Sequence, residues 1–287
     1  MSEPSSVDSG FDRQFLPGHD VDLPDPASDA VHADLRETSG HTTVRHCTHF
    51  SLSMSASRKL CRWVAWNIDG VSHRATAVRN FRLDPAYEAE AQIGGQLYAD
   101  NPLDQGHIAA FADVSWGTDE EAARARDQSC YFTNITPQLD SFNRSNLKGV
   151  WGEIEAAIAD ENDVEEERIS VFGGPILRTD DVPFGGVLIP RDFWKVLAYV
   201  EDGMLKAKAY ILTQRDLEGE LEDVEALLLG EYRMYQHRVD ELAGELGLGL
   251  GDLVEADTAP TLEGLGAGGE RTVRRVTDPT EINAPGW

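Results

Sequence analysis

Residues 104 to 107 read Asp-Gln-Gly-His, and residues 131 to 143 read Tyr-Phe-Thr-Asn-Ile-Thr-Pro-Gln-Leu-Asp-Ser-Phe-Asn. Residues 151 to 155 close the stretch as Trp-Gly-Glu-Ile-Glu. One imidazole (His107), two side-chain amides (Asn134 and Asn143) and one carboxylate (Glu155) thus share a window in which no positive charge dominates. This inventory suits metal-assisted phosphodiester cleavage. A neutral imidazole can take a proton from water, and an amide oxygen can hold a hard divalent cation.

Working outward, Arg-Trp-Val-Ala-Trp-Asn-Ile-Asp at 62 to 69 alternates bulky apolar residues and ends at Gly70, which predicts a strand and a turn. A second extended piece is expected through Phe81. Asp104 to Phe111 reads as a loop end entering another strand, and Cys130 to Ile135 as strand-like. Thr118 to Gln128 opens with a capping Thr and three acids, the signature of a helix start. Leu147, Trp151, Ile154 and Ile158 recur at helical spacing. Residues 168 to 177 read as a buried strand followed by a Gly-Gly-Pro turn. Two more strands, within 189–200 and 207–213, are expected to join at Asp202-Gly203. A strand is expected at 231–239, and a short helix capped by Asp240 after it.

The flanks differ from this body. Residues 1–45 are rich in Asp, Pro and Ser without periodicity and read as an extended N-terminal arm. Residues 46–258 carry the folded domain. Residues 259–287 read as a loose C-terminal tail.

The whole chain has 287 residues, with 41% hydrophobic and 8% aromatic content, enough to build a real core. No run of 18 apolar residues occurs, so no membrane span is expected. The N-terminus lacks a basic and an apolar signal region, which points to the cytoplasm, with non-classical export left open. The three cysteines, Cys47, Cys61 and Cys130, form no C-x-x-C pair, which argues against a thiolate zinc site or a disulfide scaffold. Cys47 and Cys61 could pair only in an oxidising compartment.

Charge is the awkward feature. Fifty-one acids face 25 Lys and Arg, a net charge of −26. Such a surface repels a phosphate backbone at long range. Screening within ~8 Å at physiological ionic strength limits that repulsion, and a locally positive cleft would overcome it. The composition also suits high salt.

The ordered motifs resemble those of the DNA/RNA non-specific endonucleases, a family that includes secreted bacterial nucleases and mitochondrial endonuclease G. The resemblance covers about residues 48 to 258. It rests on Asp104-Gln-Gly-His107, on Thr133-Asn-Ile-Thr-Pro-Gln138 with Asn143 beyond it, and on Trp151 to Glu155. Arg79-Asn-Phe-Arg-Leu-Asp-Pro85 and the strands at 168–177 and 189–195 match flanking segments. The resemblance implies an α+β fold of the ββα-metal (His-Me finger) type, with a central antiparallel sheet flanked by helices. It implies cleavage of DNA and RNA without regard to the sugar, with Mg²⁺, or Mn²⁺ in its place, as cofactor. A homodimer is open.

Residue by residue, His107 matches the family's general base and Asn143 its direct metal ligand. Asn134 matches an amide that orients groups at the scissile phosphate. Glu155 matches a carboxylate that holds a metal-bound water. Arg79 matches a phosphate clamp, with Arg74 and Arg82 as rivals. Asp104 reads as a residue that fixes its loop. Gln105 stands where the family has Arg. Loss of that charge would cost ~2–3 kcal/mol, roughly two decades of rate, unless Arg144 replaces it. A weakened, binding-only nuclease fold and a phosphodiesterase of small nucleotides are the alternatives. Asn134 and Asn143 both fit the glycosylation sequon, but a glycan there would block the proposed site.

Overall fold

Alternating bulky residues at 62–69, 168–176, 192–201 and 204–213 place these four segments side by side in one antiparallel sheet. The computed structural model describes residues 8–70, 79–143, 168–214, 233–259 and 274–276. In chain order its strands are β1 (Asp25–Pro26), β2 (Leu35–Arg36), β3 (Arg45–His46), β4 (Phe50–Ser55), β5 (Cys61–Asp69), β6 (Leu103–His107), β7 (Ile135–Leu139) and β8 (Arg168–Ile176). There follow β9 (Val182–Phe184), β10 (Val187–Ile189), β11 (Asp192–Glu201), β12 (Met204–Thr213), β13 (Arg233–His237), β14 (Leu248–Gly249) and β15 (Arg274–Val276). The helices are α1 (Asp29–Ala33), α2 (Asp119–Ser129), α3 (Asp140–Asn143) and α4 (Val239–Leu246).

The main sheet has the order β15-β13-β12-β11-β8-β5-β4-β2, with β3 also paired to β4, and every pairing is antiparallel. Its central strands are buried on both faces, so both sets of alternating side chains are apolar. On β11, Phe193, Leu197 and Tyr199 enter one core, while Trp194, Val196, Ala198 and Val200 enter the other. Asp202 and Gly203, both at positive φ (52° and 72°), make the expected tight turn between β11 and β12.

The first core lies under the β6–β7 hairpin, through Leu103, Ile108, Ala109, Leu139 and Phe142. The second is closed by α4 and by the N-terminal segment. The arm expected at residues 1–45 is therefore corrected within its described part. Phe11, Phe15, Leu16, Val21 and Val31 are buried against the sheet, and β1 pairs with β14. Each such side chain contributes ~1.5–3 kcal/mol of burial, enough to hold a strip that has no periodicity of its own.

Three local expectations fail for physical reasons. Gly173-Gly174-Pro175 continues β8 and makes no turn. A Cβ on Gly174 would stand 2.8 Å from the Arg62 carbonyl oxygen, and one on Gly173 3.0 Å from that of Trp194. These glycines let neighbouring chains approach closely. Residues 132–134 form a 3₁₀ turn, and the strand begins only at Ile135. Asp240 lies inside the first turn of α4, whose N-cap Arg238 makes no side-chain cap bond. The N-cap Thr118 on α2 is as expected, and Glu121 completes a capping box with it. The helix expected around Trp151, the extended piece at 71–78 and the acidic runs near 160–167 and 218–225 lie outside the described residues. Among the described residues, no helix is long and apolar enough to cross a membrane.

Candidate active site

The site is built on β6 and β7, which pair from Leu103↔Leu139 to His107↔Ile135. Gly106 is buried at the centre of this hairpin, and the Gln138 side chain lies across it. A Cβ at Gly106 would come within 2.2 Å of both Cδ and Oε1 of Gln138. Glycine in the first motif and glutamine in the second are thus two halves of one packing contact.

Asn134 is fully buried, and its amide is spent on the backbone. Nδ2 donates to the carbonyl oxygens of Ala109 and Ser129, both at 2.9 Å, and Oδ1 accepts from the Ala109 amide at 3.0 Å. Asn134, expected to orient groups at the scissile phosphate, makes its contacts with backbone near His107. It pins the chain just after His107 to the end of α2, because a buried amide must satisfy its donors locally. Asp84, also fully buried, holds the neighbouring residue. Its carboxylate accepts from Thr133 Oγ1 at 3.0 Å and from the Ala86 amide at 2.9 Å. Backbone bonds from Arg82 to Cys130 and from Phe132 to Arg82 then zip residues 79–85 onto 130–134.

These ties put four groups around His107. Its ring stands 5.2 Å from the Phe81 ring and 6.3 Å from that of Phe111, edge-on to the latter. The Arg79 guanidinium sits 5.6 Å from the Phe111 ring centre. Nε2 of His107 lies 4.0 Å from Cys130 Sγ. Burial pushes the imidazole down to about 3, and the charge of Arg79 acts in the same direction. His107 is therefore neutral at physiological pH, the form that accepts a proton. Arg79 is exposed, whereas Arg82 is bound to the Asp127 carboxylate and stacks 4.5 Å over Tyr131. Of these two, Arg79 is the one that makes no ion pair among the described residues. Arg74, Arg144 and Glu155 lie outside the described residues.

The loop beyond His107 is fixed from below. Trp66 Nε1 donates to Asp113 Oδ2 at 3.0 Å, and the buried Lys195 ammonium sits 5.4 Å over the Trp66 ring. Burial lowers the Lys195 pKa, and the Asp113 charge opposes that shift.

Asn143 is half-buried at the end of α3. Its Nδ2 donates to Asp104 Oδ2 at 3.1 Å. A carboxylate accepts only, so the amide oxygen Oδ1 points away from Asp104. One amide oxygen beside one carboxylate is a hard-donor set that suits Mg²⁺, which keeps most of its waters. Among the described residues no cluster of three or more His, Cys, Asp or Glu could hold a metal. Asp104 and His107 lie three residues apart on β6, ~10 Å along the strand, and side chains alternate between faces. The structure thus gathers His107, Arg79, Phe81 and Phe111 together, whereas Asn143, on α3, is tied through Asp104 to the side-chain face of β6 opposite His107. Gln105 is half-buried on the face of β6 that carries His107. All three cysteines are free and buried. Cys130 gave no signal in the sequence, because neither its spacing nor its neighbours mark it.

Residues 28–253 match the DNA/RNA non-specific endonuclease family. An uncharacterised protein of Sinorhizobium fredii is 32% identical over 220 residues, covering 72% of this chain. This chain spans only 33% of that relative's length. A protein of Nostoc sp. named as a nuclease is 26% identical over 229 residues, covering 76% of this chain and 79% of its own. The fold is similar to a chain of the EndoG/EndoGI complex, a crystal structure concerned with EndoG inhibition. There the TM-score is 0.56 and the identity 19%, with 73% of this chain and 86% of that chain covered.

Proposed function

The chain belongs to the DNA/RNA non-specific endonuclease family, and from that membership we propose that it hydrolyses phosphodiester bonds of both DNA and RNA with His107 as general base. The observation that carries this reading is the buried His107 ring, fenced by Phe81 and Phe111, with the exposed Arg79 guanidinium beside it. His107 takes a proton from water, and the water oxygen attacks phosphorus. The bond to the 3′ oxygen breaks and that oxygen takes a proton from solvent water, which leaves a 5′-phosphate and a 3′-hydroxyl. Arg79 binds the phosphate oxygens and offsets the charge that builds there. That same charge favours the imidazolium as it forms, against the depression that burial imposes. Mg²⁺, or Mn²⁺, would be held by Asn143 Oδ1 with Asp104 beside it. Bound there, it supplies charge neutralisation and assists the leaving oxygen. Recognition through backbone phosphates explains an expected lack of sequence preference.

His107→Ala tests the reading by plasmid nicking with magnesium. The variant should keep its fold and lose cleavage. Full nicking by a pure preparation would refute the role. Gln105 favours a second reading, a weakened nuclease fold that binds without cutting. Absence of cleavage on plasmid and RNA, with magnesium or manganese at low and high salt, would select it.

A further inference from the structure

We propose that Cys130 Sγ and His107 Nε2 form a two-ligand site for a soft or borderline divalent cation such as Zn²⁺, and that its occupancy shuts the nuclease off. The inhibitory half rests on His107 being the base, while the binding half stands without it. The site is a pair. Nε2 lies 4.0 Å from the sulfur, and His107 is 9% exposed, with the thiol as its nearest partner among the described residues. Sulfur and nitrogen ligands of one tetrahedral zinc ion stand ~3.6 Å apart, as its ~2.3 Å and ~2.0 Å bonds require. Closing the present gap thus needs ~0.4 Å. Phe81 and Phe111 hold the ring, so that movement falls to the cysteine side chain.

The chemistry separates this site from the one expected at Asn143. Thiolate and imidazole select zinc, cadmium and cobalt, whereas an amide oxygen with a carboxylate selects magnesium. The two ions therefore do not compete for the same atoms. Burial keeps the Cys130 thiol protonated at neutral pH. On binding, the S–H bond breaks, the metal–sulfur bond forms and the proton passes to solvent. Waters complete the shell. The imidazole lone pair on Nε2 is then committed and Nδ1 carries the ring proton, so neither nitrogen can accept one.

Two readouts on the full chain decide this. Cobalt(II) added to the wild-type protein should give a thiolate-to-metal charge-transfer band, and Cys130→Ala should lose it. Cys130→Ser, which keeps the side-chain size, should lose it too and covers the case in which the alanine variant misfolds. Zinc should inhibit plasmid nicking at saturating magnesium, each protein being compared with its own uninhibited rate. Cys130→Ala should weaken that inhibition by more than the ~10–100-fold typical of a lost outer-sphere partner. A missing band in the wild type, a band that survives in both variants, or equal zinc inhibition of wild type and Cys130→Ala overturns the proposal. A wild-type chain that cleaves nothing yet gives the Cys130-dependent band would retire the nuclease reading and keep the site.

Discussion

Replacing Gly106 by Ala tests how the two motifs are held together. Gly106 does not sit at positive φ, so alanine meets no conformational penalty there. The penalty is contact. The new Cβ would lie 2.2 Å from Gln138 Cδ and Oε1 and 2.7 Å from Cγ, well inside van der Waals separation. Gln138 is 0% exposed, so its displaced side chain must be accommodated inside the fold. Overpacking of this kind costs ~1–3 kcal/mol. Gln138→Ala alone should cost less. The side chain makes one long bond, 3.4 Å to Thr136 Oγ1, and its Oε1 is buried without a partner. Removing an unsatisfied carbonyl offsets part of the lost packing. In the double variant the alanine at 106 occupies the space the glutamine leaves. The two changes should therefore couple favourably by ~1–3 kcal/mol, which a urea-denaturation cycle can measure. Nicking rates should follow the same order, because the hairpin carries His107. A Gly106→Ala chain within ~0.5 kcal/mol of the parent, or strictly additive effects, would refute the packing argument.

The remaining predictions concern protonation, scaffold and charge. His107 has a folded pKa of about 3 against an unfolded value near ~6.5, so only the unfolded chain binds its proton between those limits. Its contribution to stability is full above pH ~6.5 and falls by up to ~1.4 kcal/mol for each unit below that. Denaturation midpoints at pH ~7.5 and ~5 should thus converge in His107→Gln relative to wild type, and an unchanged gap would contradict the burial assigned to the ring. Asn134→Ala leaves the Ala109 amide and two carbonyls without their side-chain partner, so a loss of ~2–4 kcal/mol is expected in thermal or urea unfolding. Gln105→Arg restores a charge on the face of His107 and should raise the cleavage rate by up to ~100-fold. No gain in single-turnover rate would show that a different cation already fills this role.

That the two motifs belong together was legible in the sequence because they encode local geometry. Asp-x-Gly-His and Thr-Asn-Ile-x-Pro-Gln face each other strand to strand, and each side of the register constrains the other. The partners of Asn134 were not legible. An amide can serve a phosphate or the backbone equally well, and only the position of residues 109 and 129 decides between them. Cys130 was invisible for a related reason: a thiol 23 residues from an imidazole means nothing until the chain folds back on itself. The Gly-Gly-Pro run misled because glycine serves turns and close strand packing alike, and the Arg62 and Trp194 carbonyls that choose between them come from other strands.

By itself the sequence determined the alternating strands of the sheet, the turn at Asp202-Gly203, the capped start of α2 and the residue types available for phosphodiester chemistry. These depend on periodicity, dihedral preference and functional groups, all properties of near neighbours. Tertiary structure alone decided that the aperiodic N-terminal strip closes one core, that His107 is buried neutral between two aromatic rings, and that Arg82 rather than Arg79 is ion-paired among the described residues. Those outcomes depend on which distant surfaces meet, and burial and charge are set by that meeting, not by order along the chain.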